Sequence, residues 1–169
     1  MYIAETDRLV LRHVGPGDAQ FLCRLLNEPS WLQNIGDRGV RTQLAAEQYI
    51  QEKFIESYES LGFGMYLIEL KSDKSPIGLC GLVQRGYLPG PDIGFATLPE
   101  FWGSGYAFEA SASIMRHARN GLGLSRLLAI VKPDNSRSVR LLERLGFSQE
   151  GECRVPSTDE LLNLYAAAV

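Results

Sequence analysis

The stretch Asp92-Ile93-Gly94-Phe95-Ala96-Thr97-Leu98-Pro99-Glu100-Phe101-Trp102-Gly103-Ser104-Gly105-Tyr106-Ala107-Phe108 decides how this chain is read. Its first part is a short apolar strand, Pro99 turns the chain, and an amphipathic helix follows the run from Trp102 to Ala107. Glycines let a ligand approach the backbone because no Cβ intervenes, and the first N–H groups of a helix have no acceptor within it. Together with the positive end of the helix dipole, these groups make a site for an anion such as phosphate. The same pattern also serves as a plain strand-to-helix connection, so the flanking sequence has to decide between the two.

On the C-terminal side, Ala107, Ala110, Ser111, Ile114, Met115 and Ala118 recur at helical spacing and give one continuous small-to-apolar face. Gly121-Leu122-Gly123 ends that helix, and Leu127-Leu128-Ala129-Ile130-Val131 is a continuous apolar run, as expected of a strand covered on both faces. A right-handed crossover places it parallel to the first strand, so the C-terminal ends of the two strands open a crevice. Lys132-Pro133-Asp134-Asn135-Ser136 runs into that crevice. There Asp134 or Asn135 caps a helix carrying Val139, Leu141, Leu142 and Leu145, closed by Gly146. The spacing predicts two final strands, from Phe147 to Val155 and from Leu161 to Val169.

On the N-terminal side, Arg8-Leu9-Val10-Leu11-Arg12 alternates polar and apolar residues and reads as a strand, ended by Gly15-Pro16-Gly17. Asp18 is expected to cap a helix from Ala19 to Asn27 with Phe21, Leu22, Leu25 and Leu26 on its inner face, and Pro29 ends the pattern. A loop with Trp31, Asn34, Gly36 and Asp37 follows. Thr42 then opens a second helix, with Ala46, Tyr49, Ile50, Phe54 and Tyr58 on one face and Gly62 as its stop. Gly64 to Leu70 and Ile77 to Gly86 read as an antiparallel hairpin about the polar break Lys71 to Pro76. With no repeat or linker, residues 1–169 are expected to form one mixed α/β domain.

Composition narrows the function classes. A chain that is 45% apolar and 22% charged, with a net charge of −3, argues against bulk nucleic-acid binding. The absence of an apolar run of about 18 residues argues against a membrane span. The opening Met1-Tyr2-Ile3-Ala4-Glu5-Thr6-Asp7-Arg8 lacks the basic start and apolar core of a secretory signal, so a cytoplasmic location is expected. Cys23, Cys80 and Cys153 are scattered, and His13 and His117 are the only histidines, so spacing assembles no metal cluster and the cysteines read as reduced. A nucleophilic cysteine is the sharper alternative, and neither histidine stands near one in sequence.

Three segments in this order resemble the GNAT superfamily of acyl-CoA-dependent N-acyltransferases, and within it the branch of ribosomal-protein N-terminal (alanine/serine) acetyltransferases. Thr6-Asp7-Arg8-Leu9-Val10-Leu11-Arg12 is similar to that branch's opening strand. Asp92 to Phe95 with Pro99 to Ala107 is similar to its coenzyme motif. Asn135-Ser136-Arg137-Ser138, leading to Leu145-Gly146-Phe147, is similar to its second motif. The family motif Gln/Arg-x-x-Gly-x-Gly/Ala places Gly105 and Ala107 at the small positions and Trp102 at the Gln/Arg position. The resemblance implies a mostly antiparallel sheet of about six or seven strands with a central parallel pair that splays, and about four helices. It also implies acetyl-CoA as co-substrate and no metal. The N–H groups of Gly103, Ser104, Gly105, Tyr106, Ala107 and Phe108 would hold the pyrophosphate. Main chain at Thr97 and Leu98 would pair with the pantetheine arm, and Asn135 would hydrogen-bond that arm, cap its helix, or do both. A P-loop's lysine and Ser/Thr pair are absent, which points to CoA over a nucleoside triphosphate.

In the family the amine attacks the thioester directly. The oxyanion donor is expected to be a backbone N–H near Leu98. Many members place the thiolate's acid, a tyrosine, where this chain has Leu142, and Ser138 matches a serine proposed for that role in the nearest branch. Asp92, Glu69 and Glu109 are candidate bases, alongside a water-mediated route. Trp31 to Phe63, Tyr66, Tyr87 and the last hairpin would build the acceptor side, with Arg154, Asp159 and Glu160 as a charged rim, although the same aromatics also suit a core. The acceptor implied is a primary amine, on a protein N-terminus or a small molecule, with no nucleic-acid or membrane partner and a monomer or homodimer as the assembly. A CoA-binding sensor or assembly domain without catalysis is the competing class, favoured by the missing tyrosine.

Overall fold

Eight strands form one sheet in the computed structural model, which describes residues 1–169. In chain order they are β1 (Tyr2–Glu5), β2 (Leu9–Arg12), β3 (Met65–Leu70), β4 (Pro76–Val83), β5 (Asp92–Thr97), β6 (Arg126–Val131), β7 (Ser148–Arg154) and β8 (Leu161–Ala168). They lie side by side as β1-β2-β3-β4-β5-β6-β8-β7, and only β5 and β6 run parallel. The helices are α1 (Ala19–Leu26), α2 (Pro29–Asn34), α3 (residues 43–61), α4 (Tyr106–Leu122) and α5 (Ser136–Arg144). The mixed α/β fold with a central parallel pair is therefore as expected, with one strand and one helix more than the sequence suggested.

Each departure has a physical cause. β1 shows no alternation because it is an edge strand with exposed ends, formed only by pairing with β2. Pro29 stops α1 and also starts α2, since a proline at the first helical position forfeits no hydrogen bond, so the expected loop opens with a short helix. α3 runs as Gln43–Ile50, a π turn at Gln51–Ile55, and Glu56–Leu61, with Thr42 Oγ1 accepting the Ala45 N–H at 3.1 Å and Gly62 in the left-handed conformation closing it. Asp18 does not cap α1. Its carboxylate accepts the Gly15 N–H at 2.8 Å and two guanidinium N–H groups of Arg12 at 2.9 Å.

Burial divides the molecule by sheet face. The main core packs Leu9, Leu11, Tyr66, Ile68, Cys80, Leu82 and Ile93 against Ala110, Ile114 and Ala118 of α4 and Leu142 of α5. On the opposite face, α1 and α3 cover Leu67, Leu79 and Leu98 with Leu22, Leu25, Ala46, Ile50 and Phe54. The β6–β8 half of that second face carries a small cluster, Leu88, Leu128 and Ala166, covered by the loop before β5.

The parallel pair meets at a single point, Asp92 opposite Leu128, where the Leu128 N–H donates to the Pro91 C=O at 3.1 Å. Beyond it β5 stays in register with β4 from Asp92 to Thr97, while β6 follows β8 from Arg126 to Val131. Each strand keeps its antiparallel partner, so the gap between them opens toward their C-terminal ends.

Candidate active site

At the open end of β5 the chain makes a short 3₁₀ turn, Pro99–Phe101, and then bends through Gly103 and Gly105, with φ of +78° and +81°. Both values lie in the left-handed region that glycine adopts without a Cβ penalty. The first main-chain bond of α4 is Glu109 N–H to Gly105 C=O at 3.0 Å, so the six N–H groups from Gly103 to Phe108 have no acceptor within the chain. Free N–H groups at a glycine turn and helix start are the chemistry from which an anion cradle is built.

The turn is braced from the far end of the chain. Arg8 donates through Nη1 to the Ser104 C=O at 2.9 Å and through Nε to Glu109 Oε2 at 2.7 Å, and its guanidinium lies 4.4 Å from the Tyr106 ring centroid. Glu109 Oε1 accepts from Thr6 Oγ1 at 2.6 Å and from the Arg8 N–H at 3.1 Å. Burial pushes the Glu109 carboxyl up, but these hydrogen bonds and the Arg8 charge outweigh it and hold it below the usual range. Glu109 is thereby a brace and not a base. Glu69, likewise, pairs with Arg12 at 3.0 Å on β3, with β4 between it and β5.

Strand register decides which main-chain groups face the crevice. Leu98 N–H donates to the Ile77 C=O at 2.9 Å and Leu98 C=O accepts from the Phe101 N–H at 3.0 Å. Both groups of Leu98 are therefore engaged and its side chain is buried, so neither the oxyanion donor nor the pantetheine contact expected there is available. Alternation along a strand assigns the opposite edge to Ile93, Phe95 and Thr97. The Thr97 C=O on that edge accepts from Trp102 Nε1 at 3.0 Å, which leaves Phe95 N–H, Phe95 C=O and Thr97 N–H facing the gap.

The far wall begins at Asn135, whose Oδ1 accepts the Ser138 N–H at 3.2 Å. The cap uses the amide oxygen alone, and the Nδ2 group donates to nothing within the chain. The Ser138 hydroxyl, half-buried in the first turn of α5, has no side-chain partner either. Leu142 is 1% exposed in the main core, so the family's tyrosine position presents nothing to the crevice.

Asp92 stands at the vertex where β5 and β6 part. It is 2% exposed, and Arg85 from the preceding loop donates to its Oδ1 at 2.9 Å. Burial pushes its carboxyl up to about 6, and the Arg85 cation offsets only part of that rise. Ile93 and Phe95 pack on the α4 side, so Asp92 and Gly94 face the α1–α3 side. Arg85 has no motif, and only the fold reveals it. Cys80 is fully buried with its thiol pushed up to about 12 by desolvation, which makes it inert as a nucleophile. No cluster of three or more His, Cys, Asp or Glu side chains is placed to hold a metal, and no helix is long and apolar enough to cross a membrane.

On the acceptor side the aromatics divide. Tyr66 is fully buried on the α4 face, and Trp31 and Phe54 lie in the core under α1 and α3, so none of the three lines a pocket. Tyr87 packs over the Leu88 cluster beside Arg85. Lys132, at the end of β6, donates to the Gln33 C=O at 2.8 Å and pairs with Glu160 at 2.9 Å, tying α2 to the last hairpin. Arg154 and Asp159 pair with each other at 3.2 Å on the surface.

Residues 8–148 match the acetyltransferase (GNAT) domain family, a span that holds the cradle, the vertex and both walls of the crevice. The chain belongs to the GNAT acetyltransferase family. It is an N-acetyltransferase. This acetyltransferase is 32% identical over 155 residues to the uncharacterized N-acetyltransferase YoaA of Bacillus subtilis (strain 168), covering 90% of this chain and 86% of that one. It is 33% identical over 81 residues to the ribosomal protein uS5-alanine N-acetyltransferase of Escherichia coli (strain K12), covering 47% and 42% of the two chains. RimL, the ribosomal L7/L12 α-N-protein acetyltransferase solved with coenzyme A, has the same fold with a TM-score of 0.84, 21% identity and coverage of 100% and 98%.

Proposed function

We propose that this acetyltransferase transfers acetyl from acetyl-CoA to a primary amine by direct attack in a ternary complex, with the donor in the splayed gap and the acceptor reaching the vertex from the α1–α3 side. The observation that carries this reading is the continuity of free donors. Six N–H groups at the glycine turn lead directly into the unpaired main-chain edge at Thr97 and Phe95.

In this reading the N–H groups of Gly103, Ser104, Gly105, Tyr106, Ala107 and Phe108 hold the pyrophosphate, and Thr97 pairs with the pantetheine amides as a neighbouring strand would. Asn135 donates to the same arm through Nδ2. The Phe95 N–H, taking the role expected near Leu98, stabilises the oxygen that gains negative charge. Asp92, directly or through one water, accepts the proton of the attacking ammonium, and its pKa near 6 keeps it both ionised and basic at neutral pH. As the C–S bond breaks, Ser138 delivers a proton to the departing thiolate and regains one from the nitrogen, which loses its second proton on becoming the amide. The thioester supplies the activated acyl carbon, and the protein supplies placement and charge.

The acceptor favoured here is a protein N-terminus, supported by the partial likeness to the uS5-alanine enzyme and the fold shared with RimL. The test is release of free thiol from acetyl-CoA across a panel of N-terminal peptides and small amines. Turnover of peptides beginning with alanine or serine is the expected result. Turnover of small amines alone would reassign the acceptor. Tight CoA binding with no thiol release from any acceptor would overturn transfer and leave a CoA-binding domain.

A further inference from the structure

Helix α5 carries Arg137, Arg140 and Arg144 at positions i, i+3 and i+7, which places all three within an arc of about 60° on one face. All are exposed, none makes an ion pair, and Glu143 on the same helix pairs with none of them. Two are nevertheless held in place. The Arg137 guanidinium carbon lies 3.7 Å from the ring centroid of Trp102, and that of Arg144 lies 4.6 Å from the ring centroid of Phe108.

Trp102 and Phe108 bracket the six free N–H groups of the cradle, so the two stacked pairs fix α5 along its length, with Arg140 between them. From Arg137 to Arg144 the helix advances about 10 Å. An aromatic face holds a guanidinium without neutralising it, unlike a carboxylate. Three neighbouring cations without a counter-charge repel one another, and an anion seated among them removes that cost. Trp102 also explains what replaced the side-chain donor of the family motif. In place of a Gln or Arg in the turn, the indole forms a shelf on which Arg137 arrives from the opposite wall.

A pyrophosphate on the cradle accounts for two phosphate groups and leaves the arginine row with charge to spare. We infer that Arg137, Arg140 and Arg144 form a second anion strip that recognises the 3′-phosphate of coenzyme A, making the protein selective for CoA over dephospho-CoA, which ends in a 3′-hydroxyl. The inference rests on the CoA reading of the crevice and adds a specificity to it.

Equilibrium binding of CoA and dephospho-CoA to the full-length protein tests it without reference to turnover. The wild type should bind CoA about tenfold more tightly than dephospho-CoA, a charge-assisted contact being strong and lost with the phosphate. Arg140→Ala should weaken CoA by a similar factor and leave dephospho-CoA within about twofold, while Arg140→Lys should retain most of the preference and Arg144→Ala should lower it. Arg140 touches no other side chain through a hydrogen bond or ion pair, so the thermal midpoint of Arg140→Ala should be no lower than that of the wild type. Equal affinity of the wild type for both ligands, or an equal loss of both in Arg140→Ala, would overturn the strip and leave the donor reading standing. Failure of both ligands to bind the wild type would overturn the strip and the donor reading together.

Discussion

The wall of the crevice proposed to hold the donor and the face proposed to receive the acceptor are built by opposite means. Residues 92–108 supply the donor wall as one continuous segment, and what they offer is main chain: the edge of β5 and the N–H groups of the glycine turn. The face proposed for the acceptor is assembled from side chains of several segments: Arg85 and Tyr87 in the loop before β5, Asp92 at the vertex where the donor wall begins, and Lys132 bridging Gln33 to Glu160. A main-chain site tolerates change in side chains but not in backbone conformation. A side-chain site behaves the other way round, and substitutions separate the two.

The largest effect is expected at the vertex. Asp92→Asn should lower kcat/KM by about 100-fold near neutral pH, within the usual contribution of a general base, while CoA affinity stays close to that of the wild type. The pH profile gives the sign. With a folded pKa raised to about 6, the active carboxylate is lost as pH falls through 6, so the wild type should show an acidic limb there and Asp92→Asn should not. The same rise means that the group's contribution to stability is complete below its unfolded pKa and is lost as pH climbs through about 6, a slope that Asp92→Asn should also remove from the thermal midpoint. An acidic limb that survives the substitution would move the base elsewhere.

A smaller, differently distributed effect is expected on the donor wall. Gly105→Val forces a β-branched residue toward φ +81°, at a cost of about 1–2 kcal/mol, and bends the cradle to relieve it. KM for acetyl-CoA should rise about tenfold with the fold intact, and a drop in thermal stability without a change in CoA affinity would detach the turn from the donor. The smallest of the three is expected from Ser138→Ala, with kcat falling about threefold to tenfold and CoA affinity unchanged, because water can substitute for a hydroxyl acid. An unaltered kcat would leave Ser138 as a first-turn residue only.

The same contrast governs what could be read in advance. The glycine turn, the small-residue face of α4, the doubly covered strand β6 and the cap at Asn135 were all legible, since each follows from residue types a few positions apart. β1 was not, because an exposed edge strand has no pattern of its own. The Arg8–Glu109 brace spans 101 positions and leaves no trace in spacing. Tyr66 could have lined a pocket or a core on composition alone, and the strand's facing direction placed it in the core.

By itself, then, the sequence determined a glycine turn that leads into a helix start, because left-handed glycines and a helix start are local properties of the chain, and its three motifs pointed to the family. The tertiary structure alone decided that Phe95 and not Leu98 presents its N–H to the gap, that Asp92 is a buried carboxyl at the vertex, and that Arg137 and Arg144 of α5 stack on Trp102 and Phe108 at either end of the glycine turn. Each of these depends on strand register or on the packing of one segment against another, and neither is encoded in any short stretch of residues.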